Sequence, residues 1–155
     1  MEALILDGSK DNDQVLTLAH NMMKEELETM GWRVNSFVLR DTKIAACMGC
    51  FDCWLKTPGL CIINDAGRKT TSAAIRSDFW IFMTPIVFGG YSSELKKAVD
   101  RLLPIFIPVF TKVKGEVHHK LRYENHPKLA GIGRLALSSN DYEDIFRKLI
   151  GRNAI

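Results

Sequence analysis

Ala3-Leu4-Ile5-Leu6-Asp7-Gly8-Ser9-Lys10-Asp11-Asn12-Asp13-Gln14 is the stretch that decides the fold. Its four leading apolar residues do not alternate with polar ones, so they read as a strand buried on both faces, and Asp7-Gly8-Ser9 reads as the tight loop it feeds. Leu16, Ala19, Met23, Leu27 and Met30 then recur at three- and four-residue steps, with Val15, Leu18 and Met22 widening the stripe. That spacing predicts a helix with one apolar face, and Gly31 is placed as its C-terminal cap.

The same alternation continues outward. Arg33 to Leu39 reads as a second strand, Gly67 to Arg76 as a helix, and Phe79-Trp80-Ile81-Phe82-Met83, ending at Thr84-Pro85, as the most apolar strand. Ser93 is placed to cap a helix whose face of Leu95, Ala98, Val99, Leu102 and Leu103 runs to Pro104. Gly131 to Ser138 resembles a fourth strand, and Asp141 to Ile150 an amphipathic helix capped by Gly151. Ile105 to Pro127 shows no clear period. Strands alternating with helices predict a doubly wound α/β domain of three layers, with a parallel sheet and right-handed crossovers. Ligands of such sheets sit beyond the carboxyl ends of the strands, which singles out 8–14, 84–93 and 138–141.

A chain of 155 residues suits one domain over 1–155, and 46% hydrophobic with 25% charged residues excludes disorder and coiled coil. The longest apolar runs, Phe79 to Met83 and Leu102 to Phe110, fall far short of the roughly 20 residues of a membrane span. Met1-Glu2-Ala3-Leu4 lacks a secretory pattern, so the cytoplasm is the expected compartment. The net charge of +3 is concentrated late: Lys112, Lys114, Lys120, Arg122, Lys128 and Arg134 face only Glu116 and Glu124 over that stretch. Such a region suits an anionic small molecule or is a solvated face, and without interleaved stacking aromatics it speaks against nucleic acid. Leu102 to Phe110 is too apolar for an exposed loop and is read as a subunit interface.

Three segments carry chemistry. Ser9, Lys10 and Asn12 lie where free N–H groups and a helix dipole favour a phosphate, although a plainly capped helix has the same look. There is no G-x-G-x-x-G or P-loop pattern, so a single phosphate fits better than a pyrophosphate. Thr84-Pro85-Ile86-Val87-Phe88-Gly89-Gly90-Tyr91-Ser92-Ser93 has two glycines that let the main chain approach a flat ligand, while Phe88 and Tyr91 either lie on that ligand or pack on the core. Cys47-Met48-Gly49-Cys50-Phe51-Asp52-Cys53 and Cys61, within the loop 44–65, are the sharpest signal. Compact C-x2-C-x2-C runs hold iron–sulfur centres, with zinc or plain structural and redox thiols as the other readings. Phe51 and Trp54 could shield such a centre. His118 and His119, adjacent on a strand, would point to opposite faces; His20 and His126 stand alone. No Ser/His/Asp arrangement is visible, so hydrolysis has little support.

With these residues in hand, the chain resembles the flavodoxin-like NAD(P)H-dependent FMN reductases, and particularly their iron–sulfur flavoprotein branch. The likeness rests on Gly8-Ser9-Lys10, the four cysteines, Thr84 to Gly90 and Leu95-Lys96-Lys97-Ala98-Val99-Asp100-Arg101. It implies a sheet in the order 2-1-3-4, with the family's fifth strand missing from this chain and strand four left as an open edge. It implies FMN, bound by Ser9, Lys10, Asn12, Gln14 and Val15 in the first loop, the first four at the phosphate. Pro85, Ile86, Val87, Phe88, Gly89 and Gly90 would line the isoalloxazine, with Thr84 and Tyr91 as further cofactor-binding residues of the same loop. By the same resemblance Cys47, Cys50, Cys53 and Cys61 would hold a 4Fe-4S cluster, NAD(P)H would be the electron donor and a small molecule the acceptor, and the protein would be a homodimer or tetramer. The flavin carries the chemistry, so no catalytic side chain is implied. A pure electron-transfer flavoprotein and a zinc-binding, non-enzymatic module are the alternative readings.

Overall fold

The computed structural model describes residues 1–154. β1 (Glu2–Asp7), α1 (Gln14–Thr29), β2 (Arg33–Val38), a short α2 (Asp52–Leu55), α3 (Ala66–Arg76), β3 (Phe79–Pro85), α4 (Ser93–Asp100), β4 (Phe106–Val113), β5 (Glu116–Leu121), β6 (Lys128–Arg134) and α5 (Asn140–Asn153) follow one another along the chain. Four strands form a sheet in the order β2-β1-β3-β6, and all three pairings are parallel. This is the flavodoxin-like order anticipated above, with β6 as strand four. Among the described residues one edge of β6 has no partner strand.

Both faces of the two central strands, β1 and β3, are buried, as the apolar run at the start of the chain requires. Leu4, Leu6, Trp80 and Phe82 pack with Ala73, Ala74, Leu95 and Ala98 of α3 and α4 on one face. Ala3, Ile5, Ile81 and Met83 meet Leu16 and Leu27 of α1 on the other. Gly31, with φ 81, follows the end of α1 as the expected left-handed residue. No helix among the described residues is long and apolar enough to cross a membrane.

The sequence misplaces several boundaries. The fourth strand runs from Lys128 to Arg134, not Gly131 to Ser138. The Lys128 N–H donates to the Asp78 carbonyl, so pairing starts level with Phe79, and the partner strand ends at Pro85, leaving Leu135 to Ser138 nothing to pair with. Ser92 rather than Ser93 caps α4: its hydroxyl accepts from the Leu95 N–H at 3.3 Å. That helix ends at Asp100, and Leu103–Ile105 tightens into a 3-10 turn around Pro104, which has no N–H to continue the helix. Gly151 does not cap α5, which continues to Asn153.

The segment without a period is an antiparallel hairpin, β4 with β5, closed at Lys114 and Gly115, which have φ 49 and 88. Two consecutive positive φ values give a turn that matches strand twist. The apolar run from Leu102 splits across it: Leu102, Pro104 and Ile105 are buried, while Val109 and Phe110 are exposed on the hairpin. Arg122 is committed to that structure, donating to the carbonyls of Pro104 and Phe106.

Arg101 fixes the cysteine-bearing loop to the sheet. Its side chain is 1% exposed and makes a two-pronged pair with Asp65 at 2.9 and 2.8 Å, and it donates to the Ala45 and Ile63 carbonyls. Asp65 in turn accepts from the N–H groups of Ala45 and Gly67, capping α3. Gly67 leaves the space this needs, because a Cβ there would stand 2.9 Å from the Arg101 guanidinium carbon. Burial works against both charges, but the Arg101 bonds, helped by the two N–H donors, hold the Asp65 carboxyl below its ordinary pKa. A carboxylate with a depressed native pKa adds stability that is fully present above the ordinary carboxylate range, about pH 4, and lost as pH falls through the native value. In urea unfolding, R101M is expected to cost about 3–5 kcal/mol at pH 7 by stranding Asp65. At pH 3 the same variant should cost less, because the pair is being lost in the wild type as well.

Candidate functional site

Two loops meet at the carboxyl ends of β1 and β3, and one side chain joins them. The Ser92 hydroxyl donates to the Gly8 carbonyl at 2.8 Å, the Ser92 N–H donates to the Thr84 hydroxyl at 2.8 Å, and the Gly8 N–H donates to the Met83 carbonyl. Gly8 is pressed against this junction: a Cβ would lie 2.6 Å from the Ser92 oxygen and 2.7 Å from Leu95 Cβ. Thr84 is fully buried and shapes the loop from beneath.

Beyond the junction lies a cleft of about 570 Å³ lined by Gly8, Ser9, Lys10, Asp11, Asn12, Arg40, Ser92, Ser93 and Glu94. Ser9 is buried, its N–H donating to Asp7 Oδ1, and its hydroxyl accepts from Arg40 at 2.8 Å. The N–H groups of Lys10, Asp11 and Asn12 find no acceptor among the described residues. Asp13 caps α1 by accepting from Leu16 and pairs with Arg134 at 3.0 Å, so it turns away from the cleft's cationic side. Gln14 and Val15 open the helix, exposed. The donor set of free N–H groups, Ser9, Lys10 and Arg40 fits a phosphate. Asp11, which pairs with Arg40 at 2.9 Å, is the group a phosphate would have to displace.

Arg40 escaped the sequence reading. Its signal is topological: β2 pairs β1 with Val38 opposite Asp7, so a residue two beyond Val38 emerges beside the loop that follows Asp7.

The second loop turns sharply. Val87 and Gly90 exchange both backbone hydrogen bonds across Phe88 and Gly89, which have φ 50 and 78. Phe88 is 83% exposed at the tip, its ring edge-on to Tyr142 of α5. A Cβ on Gly89 would meet Ile145 of α5 at 2.6 Å, so the turn lies flush on that helix. Pro85 ends β3, and the Ile86 N–H donates to the Arg134 carbonyl. Tyr91 is turned inward: its ring packs edge-on to Phe82 and Phe146, and its hydroxyl accepts from Asn153. It supports the loop from the core side.

Under the first loop runs a chain of three polar groups that sequence inspection missed, two of them, Asp7 and His20, buried and the third, Ser36, half-buried. Asp7 is acceptor-only, so His20 Nδ1–H donates to it at 2.7 Å, leaving Nε2 to accept from the Ser36 hydroxyl at 2.7 Å. Burial alone would raise the Asp7 pKa, but the His20 bond and the Ser9 hydroxyl and N–H outweigh it and lower the value. The chain's visible work is to hold Asp7 under Ser9. It arises because α1 lies across β1 and β2, a long-range fact absent from any local motif.

All four cysteines are free thiols. Cys53 is buried; burial, then Cys61, Cys47 and Cys50 together, push its pKa up, so the four are gathered in one neighbourhood. Among the described residues no three His, Cys, Asp or Glu side chains are grouped around one metal-ion position. A four-iron cubane holds its thiolates further apart than one ion does, and a set of four thiols suits it chemically. Gly49 and Phe51, with φ 64 and 56, curl the chain on either side of Cys50. Phe51 is partly exposed, and Trp54 is anchored by donating to the Leu103 carbonyl.

The family model described as NADPH-dependent FMN reductase matches residues 1–121, which include both loops and the cysteines. An iron–sulfur flavoprotein of Archaeoglobus fulgidus is 30% identical over 80 residues, 52% of this chain and 36% of the relative. One of Methanocaldococcus jannaschii is 29% identical over 119 residues, 76% of this chain and 61% of the relative. The chain thus spans less than two thirds of the length of either. An FMN-dependent NADH-azoreductase of Bacillus anthracis, solved in complex with FMN, shares the fold with a TM-score of 0.62 at 14% identity, covering 98% of this chain and 80% of that one.

Replacing the Ser92 hydroxyl removes a helix cap and strands the Gly8 carbonyl, so S92A is expected to lower unfolding free energy by about 1–3 kcal/mol. Hydrogen exchange should quicken in both loops at once; a change confined to α4 would show that they are not coupled through this group.

Proposed function

Because the chain belongs to the NADPH-dependent FMN reductase family, we propose that it binds FMN across the two joined loops and passes electrons from reduced nicotinamide to a small acceptor. The observation that carries this reading is the junction itself, which sets a phosphate-compatible donor cleft beside a tight, exposed turn at the carboxyl edge of the sheet. Bound FMN supplies two-electron acceptance from the nicotinamide and delivery onward. The residues of this chain do the holding. Ser9, Lys10, Asn12 and Arg40 grip the phosphate, with Gln14 and Val15 at the start of α1 beside them. Pro85 to Gly90 offer main-chain groups to the ring edge, Thr84 and Tyr91 fix that loop from below, and Phe88 screens the ring from water. No acid or base is required of a side chain.

Cys47, Cys50, Cys53 and Cys61 are the proposed holders of a 4Fe-4S centre, which would supply single-electron transfer. The reading is supported by the four-thiol set and by the names of the two archaeal relatives. Protein purified without oxygen should then contain iron and acid-labile sulfide in equal amounts, with both lost in C53S. Iron-free protein, or one zinc per chain, would contradict that assignment.

For the flavin, the test is anaerobic mixing of the FMN-loaded protein with NADPH or NADH. Bleaching of the flavin absorption is expected, and a flavin that stays oxidised would favour a pure electron carrier. R40A should weaken FMN by about tenfold or more while leaving riboflavin, which has no phosphate, almost unaffected, as loss of a charged hydrogen bond predicts.

A further inference from the structure

The first loop stands on a charge of the wrong sign for a phosphate. Asp7 is 1% exposed, its Oδ1 accepts from the Ser9 N–H at 2.8 Å, and Ser9 lines the cleft described above. Burial alone would keep a proton on Asp7, but the bonds from His20 and Ser9 outweigh it, so the group is a carboxylate. An anion held beneath a site for a dianion repels it, and burial removes much of the solvent screening that would soften this. Arg40 and Lys10 act in the opposite sense from the cleft side, but Arg40 is already paired with Asp11.

Among the described residues the ionisable group in contact with Asp7 is His20, buried, at 2.7 Å. Its other nitrogen meets the Ser36 hydroxyl at 2.7 Å, and a hydroxyl can donate or accept. Unprotonated, Nε2 accepts from Ser36; protonated, Nε2–H donates to the same oxygen, and the half-buried Ser36 turns its own hydrogen away. The imidazole thus gains a proton without losing either bond. The other charges around it are committed elsewhere. On α1, Lys24 lies by Glu28 and Asp13 pairs with Arg134; on β2, Arg33 pairs with Glu2; β3 carries no charged residue. Carboxylates, lysine and arginine ordinarily titrate outside pH 5–8, where histidine titrates. Resting on the reading of this loop as the phosphate end of the FMN site, we propose that His20 is a positioning residue whose protonation is coupled to phosphate binding. One proton passes from solvent to Nε2 as the phosphate enters, and the His20–Asp7 ion pair leaves the underside of the loop neutral.

Calorimetric titration of the whole chain with FMN at pH 7.5, in two buffers of different ionisation heat, counts the protons taken up. At that pH a phosphate monoester, with a second pKa of about 6, is almost fully dianionic and contributes little itself. The wild type is expected to take up roughly half a proton or more per FMN, and close to none with riboflavin, which lacks the phosphate. H20N, checked for folding by circular dichroism, keeps an N–H for Asp7 but has no ionisable ring, and should bind FMN with almost no uptake. The wild type's advantage over it in FMN affinity should shrink about tenfold from pH 6 to pH 8.5, the equivalent of one pH unit of linkage. The phosphate's own ionisation is common to both proteins and cancels in that comparison. No uptake by the wild type, or equal uptake by folded H20N, would overturn the coupling while leaving the flavin site standing. Absence of any FMN binding would overturn the reading of the loop and the coupling with it. Should H20N fail to fold, the ring nitrogen shifts of His20 in the wild type decide: they must move to imidazolium values on FMN addition at pH 7.5, and unmoved shifts refute the coupling.

Discussion

The Ser92 hydroxyl is the group on which the architecture of the site depends. It lies at the start of α4, yet it donates to a carbonyl 84 residues earlier in the chain, at the end of β1. Parallel strands alone would bring the ends of β1 and β3 side by side, but they would leave two independent loops. The shared bond from Ser92 to Gly8, with Thr84 holding Ser92 by its N–H, turns them into one wall. Everything proposed for the flavin presumes that wall: a phosphate end and a ring end are set at a constant separation by groups that bind neither.

A second constraint works from the other end of α4. Arg101 places a permanent charge at 1% exposure, which is tolerable because Asp65 and two carbonyls accept from both of its terminal nitrogens. The cation reaches across to Ala45 and Ile63, the two ends of the cysteine loop, so a loop of little regular structure still has a fixed base. Eight residues of helix thus connect both clamps. The same economy appears under the first loop, where His20 and Ser36 hold Asp7 so that one of its oxygens stays free for the Ser9 N–H.

Much of this was legible in the sequence, for identifiable reasons. The four-residue apolar run of β1 and the five of β3 could only be strands covered on both faces, which forces crossovers and hence the sheet order. Its carboxyl edge then names the loops. The misreadings have a common cause in contacts made at long range. Leu135 to Ser138 look like strand, but their neighbour has already turned away at Pro85. Ser92 and Ser93 are indistinguishable as caps until the Gly8 carbonyl chooses one. Phe106 to Leu121 has a hairpin turn at Lys114-Gly115, but the bulge between Phe106 and Phe110 blurs the alternation that would have revealed its strands. Arg40, His20 and Ser36 carry no motif at all and become meaningful only once β2 and α1 are laid beside β1. The inward turn of Tyr91 is likewise set by α5, whose Phe146 and Asn153 receive its ring and hydroxyl.

The claim that the two loops act as one flavin site is tested most directly by following backbone amides during an FMN titration of the whole chain. The account predicts that the N–H signals of Ser9 to Asn12 and those of Ile86 to Gly90 move together, along one binding curve, while those of the β4–β5 hairpin stay still. Movement of one loop without the other, or along two separate curves, would contradict it.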